Sequence, residues 1–155
     1  MPGERVLRAD RIGVDGYAVK YLVDANVLSE PTKPDPAERV VHWLRRNQAE
    51  LAVDPVIVGE IRFGIDVLPP GARRTTLEHW FEIGVVKVRC LPFQMETGLR
   101  WARLLADLRA TGTAMPIKAS LIAATALTHD LTVVNRNTND FRNAGVRVLD
   151  PFDEA

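Results

Sequence analysis

The chain has 155 residues, of which 46% are hydrophobic and 26% charged, and its acidic and basic side chains balance to a net charge of zero. This length and composition predict one soluble globular domain with a core of its own, and the zero charge means that any RNA-binding patch has to be local. No apolar run approaches the roughly 18 residues of a membrane span, and the polar N-terminus lacks the apolar region of a secretory signal.

Two further features bear on the surroundings of the protein and on its boundaries. Cys90 is the only cysteine and cannot form an internal disulfide, which fits a reducing cytoplasm. We expect this side chain to be a small buried hydrophobe. Residues 1–18 are polar and aperiodic, so we predict an N-terminal arm there and a single domain over residues 19–155.

The first half of this domain alternates short β-rich runs with helical patterns. Residues 19–23 predict a strand, a helix is predicted from about Ala37, and residues 51–53 predict a second strand. Asp54 is then expected to cap a helix that runs to about Leu68. The proline that follows this aspartate suits the first helical position, because only an unpaired N–H is lost there.

The second half continues the alternation. The predicted elements are a helix over 71–83, a strand over 85–88, a helix with Met95, Leu99, Ala102, Leu105 and Leu108 on its apolar side, a helix over about 115–128, and strands over 131–134 and 146–149. The helix over 115–128 is apolar nearly all round, which predicts burial. The alternation as a whole predicts an α/β fold, a three-layer sandwich whose central, mainly parallel sheet is flanked by helices. In such a fold the functional crevice lies at the carboxyl ends of the strands.

Three acidic residues are predicted to meet at that edge of the sheet. Asp24 follows the first strand within a predicted turn, Asp140 lies in the loop after strand 131–134, and Glu60 lies on a helix face with no cation three or four residues away. Each has an ordinary alternative: a turn or cap for the two aspartates, and a rim carboxylate that reaches solvent for Glu60. Together they predict an all-oxygen site for Mg²⁺ or Mn²⁺, because the three histidines show no ligand spacing for zinc. Such a site can activate water and neutralise charge on a phosphodiester.

Four motifs occur in a fixed order along the chain. They are YLVDANVLSE (21–30), VGEIRFGI (58–65), MPIKASLIAATAL (115–127) and NRNTNDF (135–141). In this order and at this spacing, the chain resembles the PIN-domain ribonuclease toxins of VapC type, which are the toxin halves of type II toxin–antitoxin pairs. The resemblance covers about residues 19–152.

The resemblance implies a PIN-like fold, Mg²⁺- or Mn²⁺-dependent endonucleolytic cleavage of RNA, a homodimer, and a cognate antitoxin that blocks the site. It also implies that Asp24, Glu60 and Asp140 are the catalytic acids that bind the metal, with Asn137 as a polar neighbour. From the residues alone, Asn135 and Asn137 could add neutral oxygen ligands or hold waters, although loop asparagines usually form turns. Asn135 stands where the family often has threonine, which we interpret as a minor variation.

The resemblance breaks at Ala119, where the family pattern has an aspartate. Losing one of four carboxylates removes one unit of negative charge, so metal affinity and activity are expected to fall. The adjacent Ser120 is not expected to substitute, because one residue turns the side chain by about 100° around the helix. Two interpretations stay open: the alanine was introduced to silence a toxin, or the protein is a naturally degenerate module that binds antitoxin or RNA.

Partners would use local features of the surface. Lys118 and Arg136 adjoin the site segments and are the preferred candidates for contacts with RNA, although most basic residues on helices only face solvent. The helices predicted over residues 37–47 and 55–68 could expose a groove for an antitoxin segment, or could pack these faces into the core.

Other classes of protein compete with the nuclease hypothesis. An aspartyl-phosphate phosphatase needs a second aspartate two residues after the first, and this chain has Asn26 there. A dinucleotide-binding domain needs a glycine-rich turn after the first strand, and residues 23–26 contain no glycine. The serious alternative is a non-enzymatic module that binds antitoxin or RNA.

Overall fold

The computed structural model describes residues 18–153, so the predicted arm lies outside the described residues apart from Ala18. Within that range the strands are β1 (Tyr21–Val23), β2 (Leu51–Val53), β3 (Arg89–Cys90), β4 (Thr132–Val134) and β5 (Val148–Leu149). The α-helices are α1 (Ala25–Leu28), α2 (Glu38–Arg46), α3 (Pro55–Asp66), α4 (Ala72–Ile83), α5 (Met95–Ala110) and α6 (Ile117–His129). Short 3₁₀ segments occupy Glu30–Thr32, Gln48–Glu50, Val85–Lys87 and Thr138–Phe141.

The strands form one sheet in the order β3-β2-β1-β4-β5, and every neighbouring pair is parallel. In the centre, Leu22 of β1 is in register with Ala52 of β2 and Val133 of β4. The prediction of a mainly parallel sheet is therefore confirmed. Strands β2 and β3 lie on one side of β1, and β4 and β5 lie on the other. This change in the direction of strand order places a crevice beyond the carboxyl ends of β1 and β4.

The core is divided between the two faces of this sheet. Successive residues of a strand point to opposite faces, so Leu22 joins one buried cluster and Val23 joins the other. The first cluster includes Ile57 of α3 and Leu104 of α5, whereas the second packs Trp43 of α2 against the sheet. Helices thus cover both faces, and the predicted three-layer sandwich is confirmed.

Helix α6 is as buried as its composition predicts, with Ala119, Ser120 and most residues through Ala126 inaccessible to solvent. Ser120 points towards α5, where its hydroxyl oxygen accepts a hydrogen bond of 2.9 Å from the indole nitrogen of Trp101. The expectation that Ser120 is directed away from the acids is met. No helix within residues 18–153 is both long and apolar enough to cross a membrane.

Two predictions around the edge strand are wrong. The β-rich run at residues 85–88 forms a 3₁₀ turn whose Val85 is buried in the core, and the strand begins later, at Arg89. Intrinsic β-propensity is overridden here by the turn after Gly84, which the N–H of Lys87 closes onto the Gly84 carbonyl. Cys90 is exposed rather than buried, because β3 is an edge strand and its outer side is uncovered.

The apolar face predicted for the helix at 95–108 is also wrong in part. Met95 and Leu99 are 83% and 67% exposed, whereas Thr97, Leu104 and Leu108 are buried. The buried residues follow the same helical period but begin at a threonine, whose hydroxyl belongs to the capping box of α5. Hydrophobicity alone therefore predicts the wrong set of residues for the side of α5 that packs against α6.

A buried hydrogen bond joins α3 to α6 beside the crevice. Asp54 caps α3, as predicted: one carboxylate oxygen accepts from the Ile57 N–H at 2.9 Å, and the other accepts from the Thr125 hydroxyl at 2.7 Å. Burial raises the pKa of Asp54, and both hydrogen bonds oppose that shift by favouring the charged form. The pair fixes the helices that carry Glu60 and Ala119.

We expect Thr125→Val to lower the free energy of unfolding by about 1–3 kcal/mol, because the variant leaves a buried carboxylate oxygen without its donor. Equilibrium urea unfolding measures the change. Thr128→Val is the matched control, since that hydroxyl donates only to the Ala124 carbonyl of the same helix. Equal losses in the two variants would contradict a special role for the buried pair.

Candidate metal site

The predicted acids come from three separate elements. Asp24 follows β1 and caps α1, where its carboxylate accepts a 2.7 Å hydrogen bond from the Ala25 N–H, so a short helix replaces the predicted turn. Glu60 lies on α3, and Asp140 lies on the 3₁₀ segment after β4. Together with Ala119 in the first turn of α6, these residues line one cavity of about 80 Å³. A single water needs roughly 15 Å³, so the cavity has room for an ion.

An asparagine network holds Asp24 in place. The side-chain amide of buried Asn135 donates to the Asp24 carboxylate at 2.5 Å. Its carbonyl oxygen accepts from the Asn26 amide at 2.8 Å and from the Asn137 backbone N–H at 2.7 Å. The sequence predicts Asn135 as a neutral oxygen ligand or a minor variation rather than as a donor to Asp24, and it does not predict Asn26 in the site. The available signal is that Asn135 directly follows β4 and that Asn26 lies three residues after the end of β1.

The environment of Asp24 disfavours its charged form. Burial raises the pKa of Asp24 to about 6, and the neighbouring Glu60 carboxylate adds to that increase. The Ala25 N–H and the Lys118 ammonium act in the opposite direction, because both stabilise the carboxylate. A carboxylate that is buried beside a second carboxylate is a group that a bound cation would stabilise.

The two basic residues proposed to contact RNA are both engaged with other residues. Lys118 reaches from α6 across the cavity, where its ammonium lies 2.6 Å from one Glu60 carboxylate oxygen. This hydrogen bond raises the pKa of Lys118. The guanidinium of Arg136 lies over the Phe152 ring, 4.4 Å from its centroid.

The oxygen atoms of the cavity fit a hard divalent cation. One oxygen of Glu60 and the carbonyl oxygen of Asn26 are buried and accept no hydrogen bond from the part of the chain that the structure describes. Carboxylate and amide oxygens are the ligands that Mg²⁺ and Mn²⁺ prefer. Between residues 18 and 153, however, no three acidic, histidine or cysteine side chains cluster closely enough to hold a metal. The methyl group of Ala119 contributes no oxygen ligand to the cavity.

A larger cavity of about 370 Å³ adjoins the acidic cavity, and Asn26 and Glu60 line both of them. Residues of α1, α3 and α4 line it, among them Ile61, Leu77 and Trp80. Of the two helices considered for an antitoxin groove, the one at 55–68 lines this cavity, whereas the one at 37–47 packs its apolar face into the core. Helix α2 packs on the opposite face of the sheet, and α4 takes its place beside α3.

The PIN domain family profile matches residues 21–146, and the chain belongs to this family. The four motifs predicted this membership, and the fold and the position of the acids beyond the parallel strands agree with it.

Individual relatives cover nearly the whole domain. The chain is 33% identical to the VapC ribonuclease Y4jK of Sinorhizobium fredii, over 86% of this chain and 99% of that protein. It is 34% identical to the toxin FitB of Neisseria gonorrhoeae, over 84% of this chain and 97% of that protein. The crystal structure of FitAcB from Neisseria gonorrhoeae superposes with a TM-score of 0.81 at 33% identity, covering 86% of this chain and 99% of that one. The predicted PIN-like fold is thus confirmed.

Proposed function

We propose that this protein is the toxin of a type II toxin–antitoxin pair, a metal-dependent endoribonuclease of the cytoplasm whose activity is weakened by Ala119. The observation that carries the proposal is the convergence of Asp24, Glu60 and Asp140 on one small cavity at the carboxyl edge of the sheet. The similarity to proteins named VapC ribonuclease and toxin FitB supports it.

Each residue of the cavity has a part in this proposal. Asp24, Glu60 and Asp140 would hold Mg²⁺ or Mn²⁺, with the carbonyl oxygen of Asn26, which has no hydrogen-bond donor among residues 18–153, as a neutral ligand. When bound, the cation would supply Lewis acidity, which neutralises charge on the phosphodiester and lowers the pKa of water so that hydroxide is available near neutral pH. Asn135 orients the Asp24 carboxylate through its amide.

The larger cavity is the proposed binding site for the antitoxin. Its apolar lining, which includes Ile61, Ile65 and Trp80, suits the hydrophobic anchors of a helical or extended peptide. Because this cavity also includes Glu60 and Asn26, a peptide bound there would reach the acids and block RNA. The protein is further proposed to act as a homodimer, as the family resemblance implies.

The alternative is a degenerate module that binds antitoxin or RNA without cleaving it. Ala119 favours this alternative, and so does the ammonium of Lys118, which already neutralises part of the acidic charge. Both candidates bind an antitoxin, so only a test of chemistry separates them.

The test is cleavage of a structured RNA in Mn²⁺ or in EDTA by the chain, by Ala119→Asp, and by Ala119→Asp combined with Asp140→Asn. We expect Mn²⁺-dependent cleavage by Ala119→Asp and loss of at least about 100-fold in rate on adding Asp140→Asn, because a ligand is removed. Asp107→Asn, which neutralises an exposed acid of α5 outside the cavity, is the matched control. Antitoxin binding without cleavage by any variant would favour the degenerate module.

A further inference from the structure

The Lys118 side chain makes an ion pair across the acidic cavity. Its neighbours in α6 are held firmly: Ser120 bonds to Trp101, and Thr125 bonds to Asp54. The lysine side chain instead crosses the cavity to α3, where the ammonium hydrogen-bonds to Glu60 at 2.6 Å. From this position it interacts electrostatically with all three acids of the cavity.

We propose that the Lys118 ammonium is the resident cation of the acidic cavity, so that it competes with a divalent metal for Glu60 and must leave before that metal is bound. The inference rests on the proposed function, because it assumes that the acids are a metal site. It adds a second cause for weak metal binding, independent of the carboxylate missing at Ala119.

The charges explain why the two cations compete. Asp24, Glu60 and Asp140 contribute three negative charges when ionised, and the ammonium reduces their sum to two. A divalent ion placed among these oxygens would repel an ammonium that lies in contact with one of them. The ammonium also occupies one Glu60 oxygen, while the other oxygen stays without a hydrogen-bond partner among residues 18–153.

The contact is also easily broken. The Lys118 side chain is 56% exposed, and exposed ion pairs contribute little to stability because water solvates the separated charges well. Because α6 is fixed by Ser120 and Thr125, displacement requires only rotation of the flexible lysine stem. The ammonium can therefore neutralise the metal-free cavity and yet give way to a stronger cation.

Calorimetric titration with Mn²⁺ tests this role in the full chain. We expect Lys118→Gln to tighten the Kd for Mn²⁺ by at least about tenfold, because a positive charge in contact with a ligand is removed. Lys118→Arg retains the charge and should bind Mn²⁺ about as weakly as the unmodified chain. Lys20→Gln is the matched control, since Lys20 pairs with Glu50 at 2.9 Å and does not line the cavity.

The rise in Tm that Mn²⁺ produces is a second readout, which the loss of a purely structural ion pair would leave unchanged. Lys118→Gln should change the metal-free Tm little, and saturating Mn²⁺ should raise its Tm by more than it raises that of Lys118→Arg. The inference alone would be overturned if the Kd for Mn²⁺ were unchanged or higher in Lys118→Gln while Ala119→Asp bound Mn²⁺ more tightly than the unmodified chain. Absence of Mn²⁺ binding by Ala119→Asp combined with Lys118→Gln would overturn the metal site, and the inference with it.

Discussion

Replacing Ala119 with aspartate is expected to raise the Mn²⁺-dependent rate of RNA cleavage by at least about 100-fold, equivalent to about 2.7 kcal/mol of transition-state stabilisation. Position 119 lines the acidic cavity from the first turn of α6, beside Lys118 and opposite Glu60. A carboxylate there would add a charged oxygen to a cavity lined by three acids, which within residues 18–153 do not cluster closely enough to hold a metal by themselves. The gain arises because tighter and better-placed cations stabilise charge that develops on the phosphate oxygens.

The measurement is single-turnover cleavage with enzyme in excess, which separates chemistry from product release. Ala102→Asp is the matched control, because it adds the same carboxylate to an exposed position of α5 that does not line the cavity. Affinity for the antitoxin should change little, since apolar anchors dominate such grooves. Expression without antitoxin should become toxic for Ala119→Asp only.

Two outcomes would contradict this prediction. Equal and robust cleavage by the chain and by Ala119→Asp would show that position 119 lies outside the active site. Toxicity from Ala102→Asp as well as Ala119→Asp would show that the phenotype reflects a change in solubility or expression, rather than restored chemistry at the cavity.

Binding of Mn²⁺ is expected to weaken by about 50-fold between pH 6 and pH 4, approaching tenfold for each unit of pH once Asp24 is mostly protonated. Burial raises the pKa of Asp24 to about 6, with a smaller contribution from the Glu60 charge. Below that pH the carboxyl group carries a proton, and an incoming cation has to displace it. Above about pH 7 the Asp24 carboxylate is already ionised, so its titration no longer changes the affinity for Mn²⁺.

Calorimetry in buffers of different ionisation enthalpy measures both the affinity and the protons released on binding. About one proton should be released per Mn²⁺ near pH 5, and close to none near pH 7.5. An affinity that stays constant from pH 5 to pH 7 would contradict the assignment of Asp24 as a ligand with a raised pKa.

The raised pKa of Asp24 also makes the free energy of unfolding depend on pH when no metal is bound. This dependence runs in the direction opposite to that of a salt-bridged aspartate, whose pKa is lowered. The folded-state pKa of Asp24 lies above the ordinary value of 3.8, so the native state holds this proton more tightly than the unfolded state does. The Asp24 contribution therefore stabilises the fold below about pH 4 and is lost as the pH rises through about 6. The difference in Tm between the chain and Asp24→Asn should change across that window.

The outline of the protein followed from local signals in the sequence. The alternation of β-rich runs with helical patterns predicted the parallel sandwich, because each element has to bury one face. Asp54 and the proline after it predicted the start of α3, since capping involves atoms within one turn. The apolar composition of α6 predicted its burial, and the placement of acids after strands predicted that Asp24 and Asp140 share an edge with Glu60.

Tertiary contacts decided the rest, because they join residues that no local pattern connects. The ion pair between Lys118 and Glu60 spans 58 positions, and the hydrogen bond from Asn135 to Asp24 spans 111. The exposure of Cys90 and Met95 depended on which strand lay at the edge and which side of α5 met α6, and hydrophobicity does not encode either choice. The sequence by itself thus determined the elements, the family and the acids of the cavity. Only the packing of α3 against α6 determined that a lysine neutralises those acids, because that contact depends on the position of two helices rather than on the pattern within either.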